Sequence, residues 1–288
     1  MKIIKSVADL RDERMKQTHK TIGFVPTMGY LHEGHISLLE KAKMECDWVV
    51  LSIFVNPLQF GPNEDFTLYP CDEARDLAIA KKIGIDLVFV PGVEEMYPEE
   101  SLTRVNVRQV TERLCGAKRP GHFDGVATVV TKLFHMVQPD RAYFGMKDVQ
   151  QVAVITQMVK DLHFPTTIVP CPTIREADGL AKSSRNVYLN QVERVQATIL
   201  HQSLTEVEQR VRTGALQTAS EMVTYVTEKI KSQPLAHIDY VEALTYPRFE
   251  TFHQWEQEDI LLAVAVFFGR TRLIDNHLIR FKGGETYV

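Results

Sequence analysis

The chain has 288 residues, 44% hydrophobic and 24% charged, which is the make-up of a globular protein with a sizeable core. A formal net charge of −4 provides no global basic field for nucleic acid, so any anionic ligand must be held by a local cluster of cations. The four cysteines, at 46, 71, 115 and 171, form no C-x-x-C pair, which argues against a zinc knuckle or disulfide framework and for reduced thiols in a cytoplasmic protein.

No apolar run at the N-terminus has signal-peptide length, and the longest stretch near the end, 260–268, is too short for a bilayer. Up to about residue 170, short apolar runs alternate with amphipathic segments, the pattern of an α/β parallel sheet wrapped by helices. Residues 21–26 read as a buried strand, followed by a glycine-containing turn and a helix over 35–46. Residues 48–55, nearly all apolar and β-branched, read as a central parallel strand. A helix over 72–83 and a strand over 86–90 follow. Alternation over 103–107 predicts another strand, 126–137 a buried helix, 141–144 a strand, 148–162 a helix and 166–169 the last strand of the series. Beyond residue 176, polar helices over 191–213 and 217–232 precede two strands, 238–243 and 260–268, which predicts a smaller α+β domain. The boundary falls near 172–176, giving domains 1–174 and 175–288. The tail, 282–288, is expected to fray.

Five segments carry chemistry. PTMGYLHEGH (26–35) follows a strand and opens a helix, so His32 and His35 share a face with free backbone N–H groups and the positive end of the helix dipole. That is an anion site, with Gly34 allowing close approach; a zinc pair would prefer i, i+4 spacing. AKSSRN (181–186) sets Lys182, Ser183, Ser184 and Arg185 beside one another, two cations and two hydroxyls able to fold over a triphosphate. FGMKDVQQ (144–151) ends a strand at Gly145, with Lys147 and Asp148 where a helix begins and Gln151 one turn on. FVNPLQF (54–60) supplies Asn56 and Gln59, uncharged groups suited to a small hydroxy acid. GAKRPGHFDG (116–125) has G-x4-G spacing, but His122 and Phe123 replace the Lys-Ser/Thr of a P-loop, which leaves a basic loop over the site. No G-x-G-x-x-G occurs, so a dinucleotide fold of the NAD type lacks its fingerprint.

In this order the segments resemble the HIGH-type and KMSKS-type motifs of Rossmann-like nucleotidyl-transferring enzymes, and the combination, ending in RLIDN (272–276), is similar to the pantothenate synthetase family. The resemblance implies joining of pantoate to β-alanine with ATP split to AMP and pyrophosphate in the presence of Mg²⁺. It implies an ATP site of Met28, Gly29, Tyr30, Leu31, His32, Glu33, Gly34 and His35, with Gly145, Met146, Lys147, Asp148, Ile174 and Lys182 to Arg185. His35 is the usual candidate proton donor. Gln59 and Gln151 would hold pantoate, with Pro26 and Asn56 beside it and Gln59 also near β-alanine. His32, His35, Lys147 and Arg185 would carry the chemistry, and Mg²⁺ would be held mainly by the phosphates, with Asp76 as a protein candidate. A cytoplasmic homodimer with the second domain as a lid completes the expectation. The chain departs from the family at Met146 (usually Glu), Cys71 (usually Arg) and Cys115 (usually Glu), and relatives often carry Leu or Met at position 182. The rivals are a plain nucleotidyltransferase, an aminoacyl-tRNA ligase and a non-catalytic nucleotide-binding regulator. Gln59 and Gln151 have no neighbouring cation to suit a phosphate-ester acceptor, and no basic extension is present for tRNA.

Overall fold

In the computed structural model, which describes residues 1–62, 64, 66–253 and 258–281, β1 (Lys2–Ile4) and α1 (Val7–Met15) precede β2 (Ile22–Thr27) and α2 (Glu33–Glu45). Next come β3 (Trp48–Ile53), the 3-10 turns η1 (Pro57–Gln59) and η2 (Phe66–Leu68), α3 (Glu73–Ile83) and β4 (Leu87–Phe89). Two short helices, α4 (Val93–Met96) and α5 (Leu114–Lys118), lead to α6 (His122–Val137), β5 (Arg141–Gly145), η3 (Met146–Asp148), α7 (Val149–Asp161) and β6 (Thr167–Cys171). The remainder is η4 (Ser184–Tyr188), α8 (Gln191–Gln196), α9 (Ile199–Arg212), α10 (Ala219–Lys231), β7 (Ala236–Tyr246), β8 (Asp259–Phe268) and β9 (Thr271–Ile279).

Strands β1 to β6 form one sheet in the order β1-β4-β3-β2-β5-β6, and every pair is parallel. Both faces are covered. Leu38, Leu39 and Ala42 of α2 and Ala80 of α3 pack in one apolar cluster with Val25, Val49 and Leu51. Leu10 of α1, Val130 and Phe134 of α6 and Val152 of α7 pack on the other side with Phe24, Val50 and Phe144. The strands are therefore continuous apolar runs, as burial on two faces requires. β2 has β3 on one side and β5 on the other. The chain leaves β2 through α2 towards β3 and leaves β5 through α7 towards β6, so a crevice opens above the carboxyl ends of β2 and β5.

The second sheet is antiparallel, β7-β8-β9. Along β8, Ile260, Leu262, Val264 and Val266 join α9 and α10 in one cluster, whereas Leu261, Ala263 and Ala265 join the cluster of α6 and α7. Both faces of β8 are thus buried, which is why its sequence lacks polar alternation.

Three expectations are corrected. Residues 103–107 are extended but belong to no ladder; the Val105 N–H donates to Thr128 Oγ1 at 3.0 Å and Asn106 to Asp124 at 2.9 Å. Their alternation reflects one side resting on α6. The single helix expected over 191–213 is two, α8 and α9, broken where Thr198 Oγ1 donates back to Val195 O at 2.8 Å. The second sheet has a third strand, β9, and β1 and α1 precede the first strand expected. The tail at 282–288 lies outside the described residues.

Candidate active site

Strand β2 ends at Thr27, whose hydroxyl donates to Ser52 O at 2.8 Å and accepts from the Gly29 N–H at 3.2 Å. After Met28, two successive residues are left-handed, Gly29 at φ 84° and Tyr30 at φ 51°. A Cβ on Gly29 would stand 3.0 Å from both Asp76 Oδ2 and Ile53 Cγ2, so glycine is required for space as well as conformation. Asp76, only 1% exposed on α3, fixes this turn: Oδ2 accepts the Tyr30 N–H and Oδ1 the Leu31 N–H, each at 2.7 Å. Burial pushes its carboxyl above the usual range against the pull of those two donors. Asp76, expected as a protein candidate for Mg²⁺, thus has each carboxylate oxygen engaged by one backbone amide of this turn.

The turn delivers His32 to the N-cap of α2. Its Nδ1 accepts the Gly34 N–H at 3.1 Å, and His35 Nδ1 accepts the His32 N–H at 3.3 Å, a reciprocal capping box built from two imidazoles. Their rings lie 4.1 Å apart, tilted by 34°. Burial, with Lys147 nearby, lowers His32 to about 4; burial, with His32 and Lys147 nearby, lowers His35 to about 3. Both rings are neutral at pH 7. With each Nδ1 accepting, the proton of each ring sits on Nε2, which makes two N–H donors for an anion. The pair therefore meets an anion as two fixed neutral donors rather than as two cations.

Facing them are the ends of β5 and β6 and the strip before η4. Lys147 Nζ lies 3.2 Å from Asp148 Oδ2. Asp148 is held below the usual carboxylate range, since Lys147 and Arg185 outweigh its desolvation. Ser183 Oγ caps η4 through the Arg185 N–H at 3.3 Å. Ser184 Oγ meets Tyr69 OH at 3.3 Å, and the Arg185 guanidinium lies 5.8 Å from the centre of the Tyr69 ring. Lys182 Nζ bridges Glu176 at 2.8 Å and Glu33 at 3.2 Å, tying the strip to the first turn of α2. The strip is anchored to the second sheet as well, because Arg175 donates to both oxygens of the buried Asp275 at 2.7 and 2.9 Å.

The third wall comes from η1 and α6. Asn56 is 1% exposed. It donates to Gly125 O at 3.1 Å and Gln59 Oε1 at 3.3 Å and accepts from Tyr97 OH at 2.9 Å, so its polar atoms position Gln59. Gln59 Nε2 lies 2.9 Å from Met28 Sδ. A Cβ on Gly125 would come within 2.2 Å of Leu58 O, so only glycine lets α6 seat η1 this closely. Arg119 donates to Glu64 through Nε at 2.6 Å and through Nη2, to His122 Nε2 at 3.1 Å and to Gln59 O at 3.4 Å. A guanidinium can only donate, so His122 Nε2 accepts and its Nδ1–H donates to Gln59 O at 2.7 Å. Burial, with Arg119 nearby, lowers His122 to about 4, consistent with that neutral ring.

These walls enclose a crevice of about 230 Å³. From the β2 turn it is lined by Pro26, Met28, His32, Gly34 and His35; from η1 by Asn56 and Gln59. Gly145, Lys147, Asp148 and Gln151 line it from β5 and α7, and Ile174 with Lys182, Ser183, Ser184 and Arg185 from the strip. Five expected contact residues stand behind the lining. Gly29 shapes the turn, Leu31 is wholly buried, and Tyr30 lies under the Arg75 guanidinium, 5.1 Å from its ring centre. Glu33 pairs with Lys182. Met146 packs on the core, and its carbonyl accepts from Asn276. Tyr69, Arg119, His122 and Thr173 line the crevice without having been singled out for it. GAKRPGHFDG drew notice for its cations, yet nothing in its spacing says that Arg119 and His122 bracket the Gln59 carbonyl. A larger cavity of about 890 Å³ adjoins the crevice, sharing Arg119, His122, Lys147, Asp148, Gln151, Ser183 and Arg185.

A doubly wound parallel sheet with a cationic, histidine-capped crevice at its switch point is the architecture of Rossmann-like enzymes that transfer groups from nucleotides. Comparison with known proteins narrows the class. The chain belongs to the pantoate-beta-alanine ligase family, whose model matches residues 2–278. It is 50% identical to the pantothenate synthetase of Caldicellulosiruptor bescii over 98% of this chain and 100% of the relative. It is 51% identical to that of Lysinibacillus sphaericus over 99% and 100%. Among solved structures, pantothenate synthetase from Thermus thermophilus superposes with a TM-score of 0.91 at 45% identity, covering 97% of this chain and 100% of that one. Pantoate-beta-alanine ligase from Francisella tularensis, complexed with beta-gamma ATP and beta-alanine, superposes with a TM-score of 0.78 at 36% identity, covering 96% and 97%.

Proposed function

We propose that this chain condenses pantoate with β-alanine, activating pantoate with ATP as pantoyl-adenylate and releasing AMP and pyrophosphate. The observation that carries the reading is the convergence of the His32–His35 turn and the Lys182–Arg185 strip on one crevice that also holds Gln59 and Gln151. Pantoate's carboxylate is ionised at neutral pH, so its attack on the α-phosphorus needs no general base. Catalysis then rests on orientation and on donors aimed at the charge passing to pyrophosphate. The two Nε2–H groups, Lys147 and Arg185 supply those donors, while Gln59 and Gln151 hold the hydroxy acid. His35, lowered to about 3 before ligands bind, serves first as a hydrogen-bond donor; a nearby phosphate raises its proton affinity towards the proton-donor role.

The described residues contain no cluster of three or more His, Cys, Asp or Glu able to hold a metal ion, and Asp76 is engaged by the Tyr30 and Leu31 amides. On this reading Mg²⁺ is held mainly by the nucleotide's phosphates and enters with them. Residues 1–174 form the nucleotide- and pantoate-binding domain and 175–288 the lid. One face of the second sheet shares the apolar cluster of α6 and α7, so the part of this lid that covers the crevice is the strip at 182–185, which protects the mixed anhydride from water. No helix among the described residues is long and apolar enough to cross a membrane, and a cytoplasmic homodimer is the assembly that the family resemblance implies.

The test is ATP–pyrophosphate exchange with pantoate present and β-alanine absent. Exchange is expected, and its absence contradicts the adenylate step. Substituting His35 or Lys147 by Ala is expected to cripple exchange without unfolding the protein; near-normal exchange rejects those assignments.

A further inference from the structure

Among the described residues, four cationic side chains line the crevice: Arg119, Lys147, Lys182 and Arg185. Lys147 and Arg185 flank Asp148 opposite the histidine pair, and Lys182 is committed to Glu33 and Glu176. Arg119 is different. It stands on the Gln59 wall, with a side chain 18% exposed, at the junction between the crevice and the larger cavity. Its Nη1 donates to the His122 ring and one Nη2 hydrogen to Gln59 O, while Nε and Nη2 together hold the Glu64 carboxylate side-on.

β-Alanine carries its own carboxylate two methylenes from the attacking amine. Burying that anion next to an acyl-adenylate requires a cation that the phosphates have not taken. A guanidinium fork matches a carboxylate in geometry as well as charge. On the ligase reading, we infer that Arg119 anchors the carboxylate of the amino-acid substrate and that Glu64 stands in for that carboxylate until the substrate displaces it. The amine is then directed along the Gln59 wall to the acyl carbon. It attacks there, the carbon–oxygen bond to AMP breaks, and the amine's protons pass to solvent. Arg119 takes no part in the adenylation half of the reaction, and it fixes the enzyme's preference for an acidic amine over a neutral one.

The experiment compares wild type, Arg119→Ala, Arg119→Lys and Glu64→Gln in three assays: pantoate-dependent ATP–pyrophosphate exchange, amide formation with β-alanine, and amide formation with ethylamine, which lacks the carboxylate. For Arg119→Ala, kcat/KM for β-alanine is expected to fall about a hundredfold, at least about tenfold more than exchange or the ethylamine rate falls. Arg119→Lys, which keeps the charge and loses the fork, is expected to fall about tenfold with β-alanine. Glu64→Gln is expected to lower KM for β-alanine severalfold, because the internal competitor is gone. An equal loss with ethylamine overturns the proposal in favour of a purely structural role through Gln59, and so does an equal loss of exchange. If Arg119→Ala fails to fold, Arg119→Lys and Glu64→Gln carry the same comparison. Absence of exchange in the wild type defeats the ligase reading itself, whereas normal exchange with an unchanged KM for β-alanine in the variants defeats only the role of Arg119.

Discussion

The Nδ1 of His35 accepts the backbone N–H of His32 at 3.3 Å, so the second histidine of the turn is fastened by the first. That bond, with the Gly34 N–H on His32, needs unprotonated Nδ1 atoms, and it ties the geometry of the anion site to the charge state of the rings.

Stability should therefore fall on acidification. His32 and His122 are lowered to about 4 and His35 to about 3 from an ordinary 6.5. Between those values the unfolded chain binds protons that the native protein refuses, so stability declines as pH drops from 6.5 towards 4, on the order of 1 kcal/mol per pH unit for each ring. Urea denaturation at pH 7 and pH 5 measures this. His35→Asn keeps an acceptor near Nδ1 and should flatten the slope; an unchanged slope would count against the buried neutral ring.

Asp76→Asn removes one of two acceptors and turns an amide N–H₂ against a backbone donor. The loss should be about 1–3 kcal/mol, with pyrophosphate exchange falling more than about tenfold because the turn carrying His32 loosens. The Mg²⁺ concentration giving half-maximal activity should not move. A shift in that concentration without loss of stability would identify Asp76 as a metal ligand.

Gly125→Ala forces a methyl group into Leu58 O. Overpacking of this kind costs about 1–3 kcal/mol, and the displaced η1 carries Asn56 and Gln59 with it. Steady-state kinetics should show higher KM for pantoate and β-alanine with KM for ATP nearly unchanged. A rise confined to ATP would mean that η1 does not serve the acid and amine.

The two lysines of the crevice should behave differently. Lys182 is paired with carboxylates that are 33% and 62% exposed, so Lys182→Met should cost under about 1 kcal/mol in stability and raise KM for ATP less than about tenfold. Lys147→Ala should lower the exchange rate about a hundredfold. Equal effects would place both cations on the same phosphate.

Much of this was legible in the sequence because short-range rules governed it. The two-sided burial of β2 and β3 wrote apolar runs, and the histidine turn wrote its own strand–turn–helix signature. What escaped depended on contacts distant in sequence. Asp76 reads as an ordinary acidic residue on α3; its task is set by amides 45 and 46 residues earlier. Arg119 and His122 meet a carbonyl 60 and 63 residues away. Residues 103–107 alternate because α6 lies beneath them, a pattern that periodicity cannot separate from a ladder. β9 was missed because Arg272, Asp275 and Asn276 interrupt its apolar pattern to bind Asp239, Arg175 and the η3 carbonyls.

The whole account depends on the histidine turn and the strip at 183–185 gripping one triphosphate. A double-mutant cycle between His35→Asn and Arg185→Ala, read as the Kd of a non-hydrolysable β,γ-substituted ATP analogue by calorimetry, tests this directly. The account predicts a coupling energy above about 0.5 kcal/mol, as for residues sharing a partner; effects that add within about 0.3 kcal/mol would contradict it.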